Sequence, residues 1–344
     1  MFMKIITSVV TAALVIVSTA ADAQVDTAAI SDRLNRSAKQ LGKDVVCLIQ
    51  KDGKIIYKRD NPEFTVKTQQ PIGAASQWLT AALVLTFVQE GKLSLDDRIS
   101  KYLPFLVKYS KGYITVRHCL THQTGIEADV KLLQKSRFKT LEDEAMGIAS
   151  RKEIETNPGT EFKYSSIGYS LIGRVLEVIS KKPFDRLIQE RVLRPIGMRG
   201  STFTNEDFNA AINPSGGARA TANDLTNFMT MLLNKGKFNN KQILTEESVG
   251  ILLSLQTPAG QMKNAPKGTE SFGYSYGSWM IEADSKDKPT SIAAPSFSGT
   301  WPIVDLCRGY SMVVLTKDLS NPPGKEFYLD LKSIIDDAIP ARCQ

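Results

Sequence analysis

The sequence predicts an α+β protein in which the two ends of the chain form one antiparallel sheet, flanked by helices, with a helical lobe inserted between them. Short strand-like segments occur before residue 60 and after residue 270, whereas helical periodicity dominates the region between. No repeat, low-complexity tract or linker divides the 344 residues into independent units. These observations favour a single domain with two lobes over separate domains.

The first 23 residues have the pattern of a secretory signal peptide. Lys4 precedes an apolar run over residues 5–20, and a small-residue site follows at 21–23. This pattern predicts cleavage before Gln24 and export to the periplasm or the exterior. The apolar run is too short to be favoured as a membrane anchor, so the mature chain is expected to be soluble, with no transmembrane anchor.

The N-terminal elements are predicted from capping and turn signals. Asp26 can cap a helix that ends at Gly42, and its apolar residues share one face. The dipeptide Asp52-Gly53 separates apolar strands over 45–49 and 55–57, which is typical of a hairpin because both residues tolerate positive φ. The segment 75–89 is apolar on nearly every side, and this predicts a buried central helix.

The remaining elements follow from hydrophobic periodicity and capping signals. Helices are predicted over 167–180, over 184–193, from Thr221 to Gly236 and over about 325–338, and strands over 274–281, 301–305 and 310–315.

The order of these elements assigns residues 24–73 and 265–344 to an α/β lobe and residues 74–264 to the helical lobe. A pocket is expected at the interface between the lobes.

Composition limits the possible functions. The formal charge of +7 is spread along the chain rather than clustered, which argues against nucleic-acid binding. The chain has two histidines and no metal-ligand spacing or cofactor motif, so neither a metal nor a cofactor is expected. Spacing does not determine how the four cysteines pair. Cys47 lies in an apolar strand and is expected to be a buried thiol, which favours Cys307 with Cys343.

Five segments resemble one family. They are PIGAASQWLTAA at 71–82 with EGKLSLDD at 90–97, ITVRHCLTHQTG at 114–125, PGTEFKYS at 158–165 and RPIGM at 194–198. Their order and spacing are similar to those of serine β-lactamases and penicillin-binding proteins, including class C β-lactamases, D-amino-acid peptidases and esterases. The resemblance spans residues 26–340 and implies a β-lactamase/transpeptidase-like fold.

The resemblance implies an acyl-transfer site whose two reactive groups are substituted here. Family members have a serine nucleophile at the start of the buried helix and a lysine three residues later, on the same helix face. In this chain those positions are Ala74 and Gln77. A methyl group cannot attack a carbonyl carbon and a neutral amide cannot accept the serine proton. The chain is therefore expected to lack acyl-transfer activity.

The resemblance also places the remaining site residues. Tyr164 is retained, whereas Ser166 stands where an Asn often occurs, and Phe297 stands where a Lys or His often precedes a small residue and Gly. The predicted pocket-lining residues are Ala74, Gln77, Tyr164, Ser166, Phe297, Ser298 and Gly299.

Ser76 and His122 are two further candidates for catalysis. Ser76 lies about 200° around the helix from position 74 and is expected to point away from the cleft. His122 matches a family histidine that lies in a turn, so a structural role is favoured for it.

The sequence is compatible with two functions of different classes. The leading one is a non-catalytic protein that binds a cell-wall peptide, an acyl or β-lactam-like small molecule, or a protein partner. The alternative is an active esterase, β-lactamase or D-amino-acid peptidase that uses a different serine. A degenerate relative without a selected role is the third interpretation, and the uninterrupted apolar pattern over 75–89 argues against it.

Overall fold

The computed structural model describes residues 25–128, 138–204, 210–296, 299–317 and 323–343. The predicted signal peptide, Phe297 and Ser298 lie outside these residues. The strands are β1 (Val45–Lys51), β2 (Lys54–Arg59), β3 (Gln70–Pro71), β4 (Phe162–Lys163), β5 (Thr202–Phe203), β6 (Ala218–Ala220), β7 (Lys237–Phe238), β8 (Lys241–Gln242), β9 (Met262–Asn264), β10 (Gly273–Tyr274), β11 (Trp279–Ala283), β12 (Pro289–Ala293), β13 (Thr300–Asp305) and β14 (Tyr310–Thr316).

Helices occupy most of the region between the strands of the main sheet. They are α1 (Thr27–Arg36), α2 (Ala38–Leu41), α3 (Ser76–Val88), α4 (Phe105–Lys108), α5 (Val116–Leu120), α6 (Leu141–Arg151), α7 (Ile167–Ser180), α8 (Phe184–Ile188), α9 (Ala222–Leu233), α10 (Glu246–Leu253) and α11 (Lys325–Ala338).

The main sheet has seven strands in the order β10-β11-β12-β13-β14-β1-β2. Every neighbouring pair is antiparallel. Strand β1 pairs with β14 from Val45 opposite Thr316 to Lys51 opposite Tyr310, which joins the two ends of the chain. The predicted α+β class and the antiparallel sheet made from both ends are therefore confirmed. The limits of the two lobes stay a prediction.

The hairpin between β1 and β2 forms where the sequence predicted it. Asp52 has φ 49° and Gly53 has φ 78°. Two successive positive φ values match the right-handed twist of the flanking strands, and Asp-Gly adopts them at little cost.

Alternation along the central strands divides the core in two. Val46 and Leu48 of β1 pack into the cluster that contains α3 and α9. Cys47 and Ile49 pack into the other cluster, with α1 and α11. Because successive side chains of a strand point to opposite faces, the sheet is covered by helices on both sides. The helix α3 lies at the centre of the first cluster, and every residue from Ser76 to Phe87 is buried.

Two predicted elements are interrupted. The first helix breaks at Ser37, between α1 and α2. The predicted strand over 274–281 is split by a turn, because β10 ends at Tyr274 and β11 begins at Trp279. In this turn Gly277 has φ 77°, and a Cβ atom there would lie 2.5 Å from the carbonyl oxygen of Gln77. Glycine thus lets the turn pack directly against the start of α3.

The C-terminal helix is held to the sheet by buried charges and a disulfide. Lys332 on α11 is 2% exposed, and its Nζ lies 2.7 Å from Glu282, 3.1 Å from Asp305 and 2.5 Å from Asp336. These carboxylate oxygens are close enough together to hold a cation, and the Lys332 ammonium takes that place.

The cysteine pairing is the one that the sequence favours. Cys307 and Cys343 form a disulfide, with their Cα atoms 5.0 Å apart. Cys47 and Cys119 are buried free thiols. Burial raises the pKa of the Cys47 thiol to about 12, so this group stays protonated. Among the described residues, the helices are all too short or too polar to span a bilayer.

We predict that Lys332→Ala lowers the free energy of unfolding by about 3–5 kcal/mol, because it removes the buried ammonium that contacts all three carboxylates. Arg308 is then left to neutralise both Asp305 and Asp336. Lys39→Ala is the control, since Lys39 is an exposed helical lysine. Urea unfolding of both variants measures the difference. Equal stability of the two variants would contradict the role of Lys332.

Candidate functional site

Ala74 lies in a single 3₁₀ turn that leads from β3 into α3. Gly73 has φ 47°, and this left-handed conformation turns the chain before the helix begins at Ser76. The backbone N–H of Ala74 donates a hydrogen bond of 3.0 Å to the Oγ atom of Ser296. At the predicted nucleophile position the side chain is therefore a methyl group, and the backbone N–H is hydrogen-bonded to a serine hydroxyl.

Gln77 is 2% exposed, and both ends of its side-chain amide are hydrogen-bonded. Its Nε2 donates to the Oγ atom of Ser215 at 2.9 Å. Its Oε1 accepts a hydrogen bond of 3.1 Å from the Tyr274 hydroxyl and lies 3.2 Å from the Nε2 atom of His122. A buried amide with all these partners stabilises the fold, whereas an unpaired one would be costly.

The hydrogen bonds of His122 fix its tautomer. The backbone N–H of Ser165 donates to Nδ1 at 3.3 Å, so the ring proton resides on Nε2. Nε2 faces the Tyr274 hydroxyl at 2.9 Å as well as Gln77. Burial lowers the pKa of His122 to about 3, and the ring is therefore neutral at physiological pH. A base with so low a pKa is a poor acceptor for a serine proton.

Three tyrosines surround this histidine. The ring centroids of Tyr164 and His122 are 4.3 Å apart, and the side chain of Gln77 is close enough to the Tyr164 hydroxyl to lower its pKa. The Tyr274 and Tyr169 hydroxyls are 3.3 Å apart, and the latter donates to the carbonyl of Leu120. Burial raises the pKa of each tyrosine above its usual value, so all three remain protonated. The retained Tyr164 thus belongs to a neutral cluster.

Ser76 has the orientation predicted for it. It is fully buried, its Oγ donates to the carbonyl of Gly73 at 2.5 Å, and it accepts a hydrogen bond of 3.0 Å from the N–H of Ala218. Both hydrogen bonds join Ser76 to the backbone beneath the helix. It is not placed to attack a ligand.

The other predicted pocket residues divide into two groups. Ser166 is half-buried at the residue before α7, and Gly299 is buried in the turn that leads into β13, with φ 74°. Phe297 and Ser298 lie outside the described residues. The structure brings Gln77 and Tyr164 together, and the assignment of the full set to one ligand pocket stays a prediction.

Ser215, Tyr274 and Ser296 belong to the site but were not identified from the sequence. Ser215 lies in a turn held by Asn213, whose Oδ1 accepts hydrogen bonds from the N–H groups of Ser215 and Gly216. Thr80 of α3 donates to the carbonyl of Pro214 at 2.7 Å, which ties this turn to the central helix. The Asn-Pro-Ser-Gly-Gly sequence between two helical segments was the available signal, since such loops often position functional groups.

The chain belongs to the beta-lactamase family, whose profile matches residues 34–332. Protein flp of Staphylococcus aureus (strain MW2) is 29% identical over 174 residues, which is 47% of this chain and 35% of that protein. The chain thus matches about a third of the length of this curated relative.

Solved structures show the same fold. A protein from Bacteroides dorei DSM 17855 aligns with a TM-score of 0.77 at 24% identity, over 89% of this chain and 98% of that one. A penicillin binding protein from Bacillus halodurans aligns with a TM-score of 0.70 at 18% identity, over 89% and 98%. At these identities the likeness establishes the fold alone.

We predict that the His122 ring does not titrate between about pH 8 and about pH 5, because its pKa of about 3 keeps it neutral. The unfolded chain binds this proton near pH 6.5, so the histidine's contribution to stability is complete above that pH and is lost as pH falls toward 3. With two histidines in the chain, the proton NMR spectrum resolves the ring, and His118→Gln assigns it. Titration of the His122 resonance near pH 6.5 would contradict the buried neutral state.

Proposed function

We propose that this chain is an exported, catalytically inactive member of the beta-lactamase family that binds a ligand or a partner. The observation that carries the proposal is the pairing of a methyl group at position 74 with a neutral, hydrogen-bonded amide at position 77. Loss of the nucleophile in a comparable hydrolase lowers turnover by about a million-fold. No acyl-enzyme is expected to form.

The hydrogen bonds of Gln77 favour a site that selection has retained over one that random substitution has degraded. A lysine replaced at random in a buried position would leave polar atoms without partners, at a cost of about 1–3 kcal/mol each. Here Ser215 accepts from Gln77 and Tyr274 donates to it, from segments far away in the sequence. The surroundings of position 77 therefore match an amide.

The proposed ligands are those that the resemblance implies: a cell-wall peptide, an acyl or β-lactam-like small molecule, or a protein partner. Export is proposed on the signal-peptide pattern of residues 1–23. Of the groups near Gln77, Tyr164 and Ser166 are only partly buried, and in this proposal they are the ones that meet the ligand.

One contact favours the alternative, an active hydrolase with a different nucleophile. The hydroxyl of Ser296 lies 3.0 Å from the backbone nitrogen of Ala74, beside the position that the family nucleophile occupies. Against this function, the histidine near the site is neutral with a low pKa, and the tyrosines are protonated. These groups do not supply the base that a serine nucleophile needs.

We predict that the natural chain is not labelled by a fluorescent penicillin or a fluorophosphonate, whereas Ala74→Ser/Gln77→Lys is labelled. The restored lysine would be kept neutral by burial and could accept the serine proton. Gel fluorescence of the purified chains measures labelling. Ala74→Ser and Gln77→Lys alone are the matched controls, and each is expected to react far less than the double variant.

Labelling of the natural chain would contradict the inactive state. Mass mapping of the adduct, together with Ser296→Ala and Ser76→Ala, would then identify the nucleophile. Hydrolysis of esters or β-lactams by the natural chain that is abolished by Tyr164→Phe would likewise show an active site.

A further inference from the structure

The segment over residues 98–113 combines cations with exposed apolar side chains. Its cations are Arg98, Lys101, Lys108 and Lys111, and it contains neither Asp nor Glu.

The most exposed large hydrophobic side chains of the described chain are in this segment, Tyr113 at 69% and Val107 at 64%. Apolar groups of this size are normally buried in a monomer, so their exposure beside cations indicates a surface that contacts something else.

The exposed groups form one continuous surface. A Cβ atom at Gly112 would lie 3.3 Å from the Cγ2 atom of Val107, so Val107 packs on the backbone next to Tyr113. The guanidinium of Arg98 lies 5.0 Å from the centroid of the Tyr113 ring. Lys108 follows Val107 directly and is also exposed. Two apolar groups are therefore flanked by two cations.

The two carboxylates that directly precede Arg98 in the sequence are bound by other groups. Asp96 is held by Arg117, whose Nε lies 2.9 Å from it. Asp97 is bound by Lys101 at 3.3 Å and by the Tyr102 hydroxyl at 2.7 Å. The pair of Lys101 with Asp97 is the one salt bridge that this segment makes within the described residues. Arg98 and Lys108 remain available to external anions.

We infer that this surface docks on an anionic phospholipid bilayer, a role separate from the candidate site around Gln77. Val107 and Tyr113 enter the interfacial region, where an aromatic ring with a polar end is favoured. Arg98 and Lys108 contact the phosphates of the headgroups. Two exposed apolar side chains are too few to form the core of a stable protein–protein interface, whereas shallow insertion combined with surface charge requires no more.

The test is co-sedimentation of the chain beginning at Gln24 with vesicles. Vesicles of phosphatidylglycerol mixed with phosphatidylcholine are compared with vesicles of phosphatidylcholine alone. We expect binding to the anionic vesicles only, weakened by added salt because the surface charges are screened. Free inorganic phosphate at the same ionic strength is expected to lower binding no more than chloride does.

Val107→Ser/Lys108→Glu is expected to lower the partition coefficient roughly ten-fold or more. Lys54→Glu/Ile55→Ser is the matched control. Lys54 is exposed and Ile55 is 56% exposed, and both lie in the β1–β2 hairpin, outside the segment 98–113. The control makes the same change in charge and apolar exposure and is expected to bind as the natural chain does.

The assignment would be overturned if Val107→Ser/Lys108→Glu and its control Lys54→Glu/Ile55→Ser lost binding equally. It would also be overturned if the natural chain bound neutral vesicles as well as anionic ones. Circular-dichroism melting curves confirm that each variant folds. Arg98→Gln/Tyr113→Ser tests the same surface through its other two residues and is expected to give the same loss. Retained binding in both variants of the surface would also overturn it.

Discussion

The buried side-chain amide of Gln77 is the interaction on which the candidate site depends. Its hydrogen bonds connect the start of α3 with the turn at Ser215 and with Tyr274 at the end of β10, and its Oε1 lies against His122. These contacts join four separate parts of the chain. Because each buried polar atom must find a partner, the amide constrains the position of every segment that it touches.

This constraint determines the electrostatics of the site. His122 is neutral because burial lowers its pKa, and the hydrogen bond that Nδ1 accepts from the backbone places the ring proton on Nε2. The surrounding tyrosines stay protonated because burial raises their pKa and so opposes formation of the phenolate. A network of neutral groups can hold a fixed shape for a ligand. It does not provide the base and nucleophile that acyl transfer requires.

The parts of the fold with strong local signals were predictable. The helices α7 and α11 have the predicted limits, Ile167–Ser180 and Lys325–Ala338, since one apolar face and clear ends define them. The Asp52-Gly53 hairpin is set by two residues that tolerate positive φ. The positions of Ala74 and Gln77 followed from the flanking sequence, because that sequence resembles the family.

The partners of the site were not predictable from local patterns. Gln77 bonds to Ser215, which is 138 residues away, and Ala74 bonds to Ser296, which is 222 residues away. The split of the strand at 275–278 arises from close packing of Gly277 on the carbonyl of Gln77, a contact that alternation of apolar residues does not reveal. Such contacts depend on tertiary structure rather than on sequence period.

The most direct test of the central claim is the pH dependence of stability in Gln77→Lys, with Gln77→Met as the uncharged control. If position 77 accepts only a neutral group, burial lowers the pKa of the new lysine below its unfolded value of about 10.4, and the unfolded chain binds more protons. The lysine variant should then lose about 2–4 kcal/mol at neutral pH and recover as pH rises toward 10, whereas the deficit of the methionine variant stays constant. A lysine variant as stable as the natural chain at neutral pH would show that the site still accommodates the catalytic cation, and would contradict the account.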